Sequence, residues 1–408
     1  MRILVVSQYF WPENFRINEL VAEWVKRGHQ VTVLTGLPNY PEGKIFGNFR
    51  AAPETYSNYA GAHIVRVPVI ARGRSKLRLV LNYFSFALTA SLLGAWKLRG
   101  REMDVIFVFA TSPVLVGIPS AFLRWLKRAP QVFWVLDLWP ETLRAVGVVR
   151  SKWMLEAVGW LVGWIYAHCD LILAQSRGFI ENIEKYAPAG RRIEYFPAWA
   201  DGVFSATNVI PAPGVPDDRG AFTVLFAGNI GEAQDFPEIL RAIEILRERR
   251  DIRWIVVGDG RLAGWVKQQV EARGLSDRVL MVGRHPLERM PSFFAHADAL
   301  LVSLKDTEIF AMTIPGKLQS YLGSGIPVLA MLNGEGARLV EEANAGLVCH
   351  AGDGAGLASI VERMASMDDK TRRGLGENGR RLSEREFDRD CLFDRLDGFL
   401  AEMTRKVP

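Results

Sequence analysis

The sequence predicts an α/β protein built from two doubly wound parallel-sheet domains in tandem. Three observations carry this. Short apolar runs alternate with helical patterns through the first half, the signature of parallel strands joined by crossover helices. The alternation breaks in a Pro- and Gly-rich stretch at 197–221 and then restarts. At 408 residues the chain is too long for one ordinary core and suits two domains of roughly 200 residues each.

Taken in order, the first half predicts strands at Ile3–Ser7, Gln30–Thr35, His63–Pro68, Val105–Phe109, Gln131–Leu136, Leu171–Ala174 and Ile193–Phe196. Helical spacing appears at Asn18–Arg27, Val114–Lys127, Lys152–His168 and Phe179–Tyr186. Pro197, Pro211, Pro213 and Pro216 mark the break, so the domains are drawn at 1–200 and 222–384 with a linker at 201–221. The second half predicts strands at Phe222–Phe226, Ile252–Val257, Val279–Val282, Ala299–Ser303 and Pro327–Ala330. Helices are expected at Pro237–Glu248, Leu262–Ala272 and Met290–His296, and a charged helical stretch from Arg380 closes the chain. Ligands on such sheets bind beyond the carboxyl ends of the strands. Two sheets facing each other would put a site in the cleft between them.

Composition narrows the class. Hydrophobic residues make up 49% and charged residues 23%, which is globular rather than disordered. Cys169, Cys349 and Cys391 lie far apart without CxxC spacing, against a zinc site or disulfide framework and for a reducing compartment. The first apolar run, from Met1, is too short for a signal peptide, so a cytoplasmic protein is expected. A net charge of +5 and a pI near 9.1 suit contact with anions. No nucleic-acid motif or basic-aromatic stripe accompanies that charge.

The basic residues concentrate locally. Arg72, Arg74, Lys76 and Arg78 precede an uncharged run of eighteen residues, Leu79 to Trp96, and Lys97, Arg99 and Arg101 follow it. That length reaches the lower limit of a membrane span. A span is rejected because the flanking strands belong to one sheet. Asn82, Ser85 and Thr89 form a polar stripe at helical spacing, which fits a cationic amphipathic helix lying on a membrane surface. A buried crossover helix with basic ends is the alternative.

The residues at strand ends carry the chemistry. After the strand at Ala299 come Glu308-Ile-Phe-Ala-Met-Thr-Ile-Pro315-Gly-Lys317-Leu-Gln-Ser320-Tyr-Leu-Gly323-Ser-Gly325. Pro315 suits the first turn of a helix, and Gly323 and Gly325 are expected to stop it. A helix N-terminus at a sheet's carboxyl edge is a ready anion site. Lys317 there is read as a phosphate ligand, against the alternative of a solvated lysine on an ordinary connection. The loop Gly228-Asn229-Ile-Gly231-Glu232-Ala-Gln234 follows the first strand of the second half, where glycines let amides approach a phosphate. Gly258-Asp-Gly260-Arg-Leu-Ala263 is a formal GxGxxA match. The next strand ends in Gly283-Arg284-His285, without the acid a nicotinamide site wants. Arg284 stands where it can flank a base or phosphate. In the first half, Gln8-Tyr-Phe-Trp-Pro-Glu13-Asn-Phe-Arg16 replaces a GxGxxG loop, and Arg16 is a candidate diphosphate contact. Asp137, held in Leu136-Asp-Leu-Trp-Pro-Glu141, is the catalytic candidate, with a helix N-cap as its alternative role. No carboxylate pair has metal spacing, and no metal is expected.

Four strings, Gln8–Glu19, Gly36–Gly43, Leu136–Thr142 and Ile314–Tyr321, resemble family 4 (group 1) glycosyltransferases of the GT-B fold, two Rossmann-like domains facing across a cleft. Within that family the strings are similar to the O-antigen and capsule branch, which includes N-acetyl-L-fucosaminyl transferases. The resemblance implies a retaining, metal-independent transfer with no cofactor. The donor would be a UDP-sugar held by the second domain. The acceptor would be an undecaprenyl-diphosphate-linked saccharide held by the first, at the inner face of the plasma membrane. It also implies that the final helix, 385–408, returns to the first domain. The family's usual Arg and Lys of the glycine loop fall on Asn229 and Gln234, and its two glutamates on Met312 and Ser320. Charge neutralisation then passes to Lys317, with Arg16 or Arg284, and Glu308 is the candidate for the sugar hydroxyls. Two other readings share parts of this pattern: a nucleotide-sugar 2-epimerase of the same architecture, and a non-catalytic membrane adaptor that senses nucleotide sugars.

Overall fold

The computed structural model describes residues 1–73, 75–145, 149, 151–205, 209–216 and 220–405. Arg74 of the basic run, parts of the 201–221 linker and the end of the 385–408 segment lie outside the described residues. The chain forms two compact units. The first comprises Met1–Gln175, Phe179–Phe196 and the chain from Phe393 on; the second is Pro197–Leu392 with Ser176–Gly178.

In the first unit the strands are β1 (Arg2–Val6), β2 (Gln30–Gly36), β3 (Asn58–Tyr59), β4 (Ala62–Val67), β5 (Val105–Ala110), β6 (Gln131–Val135), β7 (Leu171–Ala174) and β8 (Ile193–Tyr195). They form one sheet in the order β3-β4-β2-β1-β5-β6-β7-β8, parallel except for β3. Strands β5, β6 and β7 are buried at every residue, which is why they read as continuous apolar runs rather than as alternating patterns. The strand that periodicity missed, β3, has two residues and hairpins onto β4 through Ala60-Gly61, both at positive φ.

Right-handed crossovers decide which face each helix covers. The Arg16–Lys26 helix, between β1 and β2, lies on one face. The Lys76–Thr89, Gly117–Lys127 and Lys152–Ala167 helices, whose connections run the other way along the sheet, lie side by side on the opposite face. The Arg16–Lys26 helix is covered by the last helix, Arg389–Arg405. Trp24 Nε1 donates to Asp397 Oδ1 at 2.9 Å. Arg27 donates to Asp394 at 2.7 Å and to Asp397 at 2.9 Å. The buried Trp24 ring meets Phe107 edge-on at 5.1 Å.

The Lys76–Thr89 helix continues through a π-helical turn at Ala90–Gly94 into Ala95–Lys97. Its polar stripe points inward. Asn82 is fully buried, accepting from Gln8 Nε2 at 2.7 Å and donating to the Ile70 carbonyl at 2.6 Å. Ser85 Oγ accepts from the Ile70 amide at 3.0 Å, and Thr89 Oγ1 donates to the Pro68 carbonyl at 2.8 Å. The stripe therefore pins the helix to the segment after β4, and the apolar side is left open. Phe84, Leu88, Leu92 and Trp96 are each 57–61% exposed, so the alternative of a buried crossover helix does not describe this element. Its length and composition alone would allow a membrane crossing. The neighbouring strands β4 and β5, however, lie in the same sheet.

The second unit holds β9 (Phe222–Ala227), β10 (Ile252–Val257), β11 (Val279–Gly283), β12 (Ala299–Ser303), β13 (Val328–Met331) and β14 (Gly346–Cys349). Their order is β11-β10-β9-β12-β13-β14, all parallel. Strand β14 was not foreseen. Its Gly346 is required because a Cβ there would lie 1.9 Å from the Val328 carbonyl oxygen. Pro315 caps the Gly316–Ser324 helix from outside its first turn. That helix ends only at Gly325 (φ +74), and Gly323 lies within it rather than stopping it.

Replacing Trp24 with alanine is expected to destabilise the first unit by ~3–5 kcal/mol, the usual cost of emptying a core aromatic site. Urea unfolding followed by circular dichroism measures it.

Candidate active site

In the second unit, three consecutive strand-end loops are stacked by backbone contacts. The chain turns at Gly228 (φ +134) after β9 and at Gly258 (φ +145) after β10. The Gly228 amide donates to Val257 O at 2.8 Å, Ile230 to Asp259 O at 2.9 Å, and Gly258 to Gly283 O at 2.8 Å. A Cβ on Gly258 would stand 1.9 Å from the Gly228 oxygen, and one on Gly228 would stand 2.6 Å from Lys317 Cε. Gly228 thus leaves the room that the Lys317 stem occupies.

Lys317 is the second residue of its helix. Its ammonium lies 3.7 Å from the centroid of the Phe226 ring and has no hydrogen-bond partner among the described residues. Burial pushes its pKa down to about 7. The helix dipole opposes a cation there as well, and the Phe226 face offsets only part of the cost. An anion reaching the Gly228 loop meets both this side chain and the helix N-terminus.

Asn229 and Gln234 fold back on their own loop. Gln234 Oε1 accepts from the Gly231 amide at 3.2 Å and its carbonyl accepts from Ser303 Oγ at 2.7 Å. The Asn229 side chain packs where Cβ atoms on Gly231 or Gly260 would otherwise project. Ser320, one turn beyond Lys317, is buried, and its Oγ donates to Asp201 Oδ2 at 3.2 Å. Asp201 carried no sequence signal, since it lies 119 residues from its partner. Glu308 is exposed at the first position of the Glu308–Ala311 helix that follows β12, next to β9. Arg284 is exposed beyond β11, the edge strand, with β10 between it and β9. His285 bonds to the Val282 carbonyl at 3.1 Å and packs on Phe293 at 4.6 Å, a structural role. The geometry therefore gathers Gly228, Asn229, Gln234 and Lys317, turns the Ser320 hydroxyl to Asp201, and leaves Arg284 at the margin.

In the first unit, Asp137 follows β6. Thr142 Oγ1 donates to it, and burial holds its pKa above the ordinary carboxylate value, opposed by hydrogen bonds from Thr142, Ser112 and Trp139. Its oxygen is engaged by a hydroxyl rather than by a row of helix amides, which separates it from the N-cap alternative. Burial raises the Tyr83 pKa, opposed by the charge of Arg72 and reinforced by that of Asp137. The Arg72 guanidinium lies 5.1 Å from the Tyr40 ring centroid, and Tyr40 packs with Tyr9 and Phe15 at 5.4 and 5.2 Å. Glu13 braces these loops: its carboxylate accepts from Asn39 and Tyr40 amides at 2.7 and 2.6 Å and from Phe10 at 3.2 Å. Burial pushes the Glu13 carboxyl up to about 7 despite those donors. Arg16 opens the Arg16–Lys26 helix of this unit. Among the described residues no group of three His, Cys, Asp or Glu side chains is placed to hold a metal ion.

Gly258→Ala must separate two backbone segments that are in contact. It is expected to destabilise the second unit by roughly 1–3 kcal/mol, as overpacking does, and to lower its unfolding midpoint in urea.

Comparison with known proteins fits both halves. A model described as a glycosyl transferase 4-like domain matches residues 14–199, and one described as glycosyl transferases group 1 matches 221–367. WbjE of Pseudomonas aeruginosa, described as a probable glycosyltransferase, is 25% identical over 66% of this chain and 68% of its own. WcaI of Escherichia coli, named for colanic acid biosynthesis, is 24% identical over 80% of this chain and 82% of its own. The crystal structure of Anabaena Alr3699/HepE in complex with UDP superposes with a TM-score of 0.71 at 15% identity, covering 98% of this chain and all of that one. The fold is therefore GT-B. With its first half matched as a glycosyl transferase 4-like domain and its second as group 1, the chain belongs to the family 4 (group 1) glycosyltransferases.

Proposed function

We propose that the enzyme transfers a sugar from a UDP-sugar to an undecaprenyl-diphosphate-linked saccharide, with retention and without metal, in O-antigen or capsule assembly. The observation that carries this is Lys317: a buried ammonium at a helix N-terminus, facing a glycine loop, with no anionic partner of its own. A donor diphosphate supplies that partner. UDP in the HepE complex and the colanic acid naming of WcaI support the donor and the pathway class. The transferred sugar is of the hexosyl or N-acetylhexosaminyl type, and the resemblance of the strand-end strings puts N-acetyl-L-fucosamine first.

The bond broken joins the anomeric carbon to the diphosphate oxygen; the bond formed joins that carbon to the acceptor hydroxyl, whose proton leaves with the departing phosphate. Lys317 and the loop amides stabilise the charge that develops on the diphosphate, the largest contribution to be supplied. Asp137 orients the sugar or acceptor, Glu308 the sugar hydroxyls, and Arg16 and Arg284 are secondary diphosphate contacts. The acceptor's lipid places the enzyme in the cytoplasm, peripheral to the inner face of the plasma membrane. The exposed apolar side of the Lys76–Thr89 helix, flanked by Arg72, Arg78, Lys97 and Arg99, supports this.

Calorimetry with UDP, GDP and NAD in EDTA tests the donor site. Selective UDP binding is expected, weakened by roughly 1–3 kcal/mol in Lys317→Ala, the worth of a charged hydrogen bond. NAD binding without UDP binding would overturn the reading. Turnover of the donor alone would point to the epimerase, and no turnover with donor and acceptor to the sensor. Because the free Lys317 sits near pKa 7, a bound diphosphate raises that value. UDP binding at pH 8 should then take up about one proton, and uptake should vanish below pH 6 and in Lys317→Ala. Titrations in buffers of different ionisation enthalpy report it.

For the membrane, Phe84→Glu with Leu88→Glu should lower sedimentation with anionic phospholipid vesicles at least tenfold while UDP affinity stays unchanged.

A further inference from the structure

A cavity of about 1210 Å³ in the first unit lies between the Glu141–Ala145 helix, the Lys152–Ala167 helix and the last turn of the Gly178–Tyr186 helix. Its floor is made by two glycines. A Cβ on Gly159 would lie 2.9 Å from the Tyr186 ring, and one on Gly163 would lie 3.0 Å from the Tyr186 carbonyl oxygen. These glycines seat the helix against Tyr186 and leave Leu155, Trp160 and Trp164 as apolar walls. Trp160 is 74% exposed, an unusual position for an indole in a water-facing wall.

The charge of the cavity is one-sided. Arg144, Lys152 and Lys185 all line it, and none has an ion-pair partner among the described residues; Glu156 is the single carboxylate facing it. The lining includes Pro140, three residues from Asp137 and next to Trp139, whose indole bonds to Ser112. The Lys152–Ala167 helix, which supplies most of the lining, belongs to the layer that carries most of the exposed apolar side chains. Of nineteen large hydrophobics exposed among the described residues, fourteen lie on the Lys76–Lys97, Gly117–Lys127 and Lys152–Ala167 segments. The cavity thus joins an apolar, basic helix layer to the segment that follows the candidate catalytic carboxylate.

We propose that this groove binds the phosphate-headed isoprenoid chain of the acceptor. The chain lies along Leu155, Trp160 and Trp164, and Arg144, Lys152 and Lys185 hold its phosphates. A free phosphate would use the cations but not the indoles; a neutral lipid would use the indoles but not the cations. The volume exceeds the roughly 300–1,000 Å³ of ordinary small-molecule pockets, as a long flexible ligand requires. This deepens the lipid-linked acceptor reading and rests on it.

Farnesyl diphosphate is the probe, titrated into the full-length protein and followed by tryptophan fluorescence, with farnesol and inorganic diphosphate as separate arms. Binding is expected for farnesyl diphosphate, with neither fragment displacing it at equal concentration and no displacement by excess UDP. Lys152→Glu with Lys185→Glu should weaken it at least tenfold and Trp160→Ala several-fold. All three positions are exposed, and unchanged UDP affinity certifies the fold of each variant. Equal binding by wild type and both variants would overturn the proposal. So would full displacement by inorganic diphosphate, which marks a plain anion surface, or by UDP, which marks the Lys317 loop. Loss of UDP binding by the wild type would instead sink the donor reading and leave these arms intact.

Discussion

The close approach of the Gly228 and Gly258 turns is the constraint on which the second unit's chemistry rests. Two backbones in direct contact, each at a positive φ that side-chain-bearing residues rarely adopt, draw the strand-end loops into one stack. That stack creates the slot for the Lys317 stem and sets its ammonium on the Phe226 face. A lysine held there costs burial free energy in the free protein. The cost is relieved either by loss of the proton or by an anionic partner.

Much of this was legible in the chain because it is local. Parallel strands buried on both faces leave continuous apolar runs, and β5, β6, β7, β9 and β12 declare themselves that way. Pro315, Gly316 and Lys317 form a compact signal of a helix start beside a strand. What stayed hidden depends on distant partners. Asn82, Ser85 and Thr89 are visible as a stripe, but the side of the helix they face is fixed by Gln8, Ile70 and Pro68. Asp201 beside Ser320 and the brace that Glu13 makes to Asn39 and Tyr40 are equally non-local. The two-residue β3 and the partly exposed β14 are too short or too mixed to leave a period.

The first unit carries its excess charge on one side. On one side of its sheet the Arg16–Lys26 and Arg389–Arg405 helices are near balance, with Glu19, Glu23, Asp390, Asp394, Asp397 and Glu402 against Arg16, Lys26, Arg389, Arg395 and Arg405. On the other, the Lys76–Lys97, Gly117–Lys127 and Lys152–Ala167 segments carry Glu156 as their only acid, against Lys76, Arg78, Lys97, Arg124, Lys127 and Lys152. Such a layer repels basic partners and attracts anionic ones.

The return of the last helix to the first unit has a consequence for how the protein is made. Trp24 and Arg27 precede the whole second unit in the chain, yet their partners Asp394 and Asp397 follow it. During vectorial synthesis the second unit, contiguous apart from Ser176–Gly178, has its whole core available before the first can close. The unit begun first is therefore completed after the second, and until the segment from Phe393 emerges, the face around Trp24 is an unpaired apolar surface.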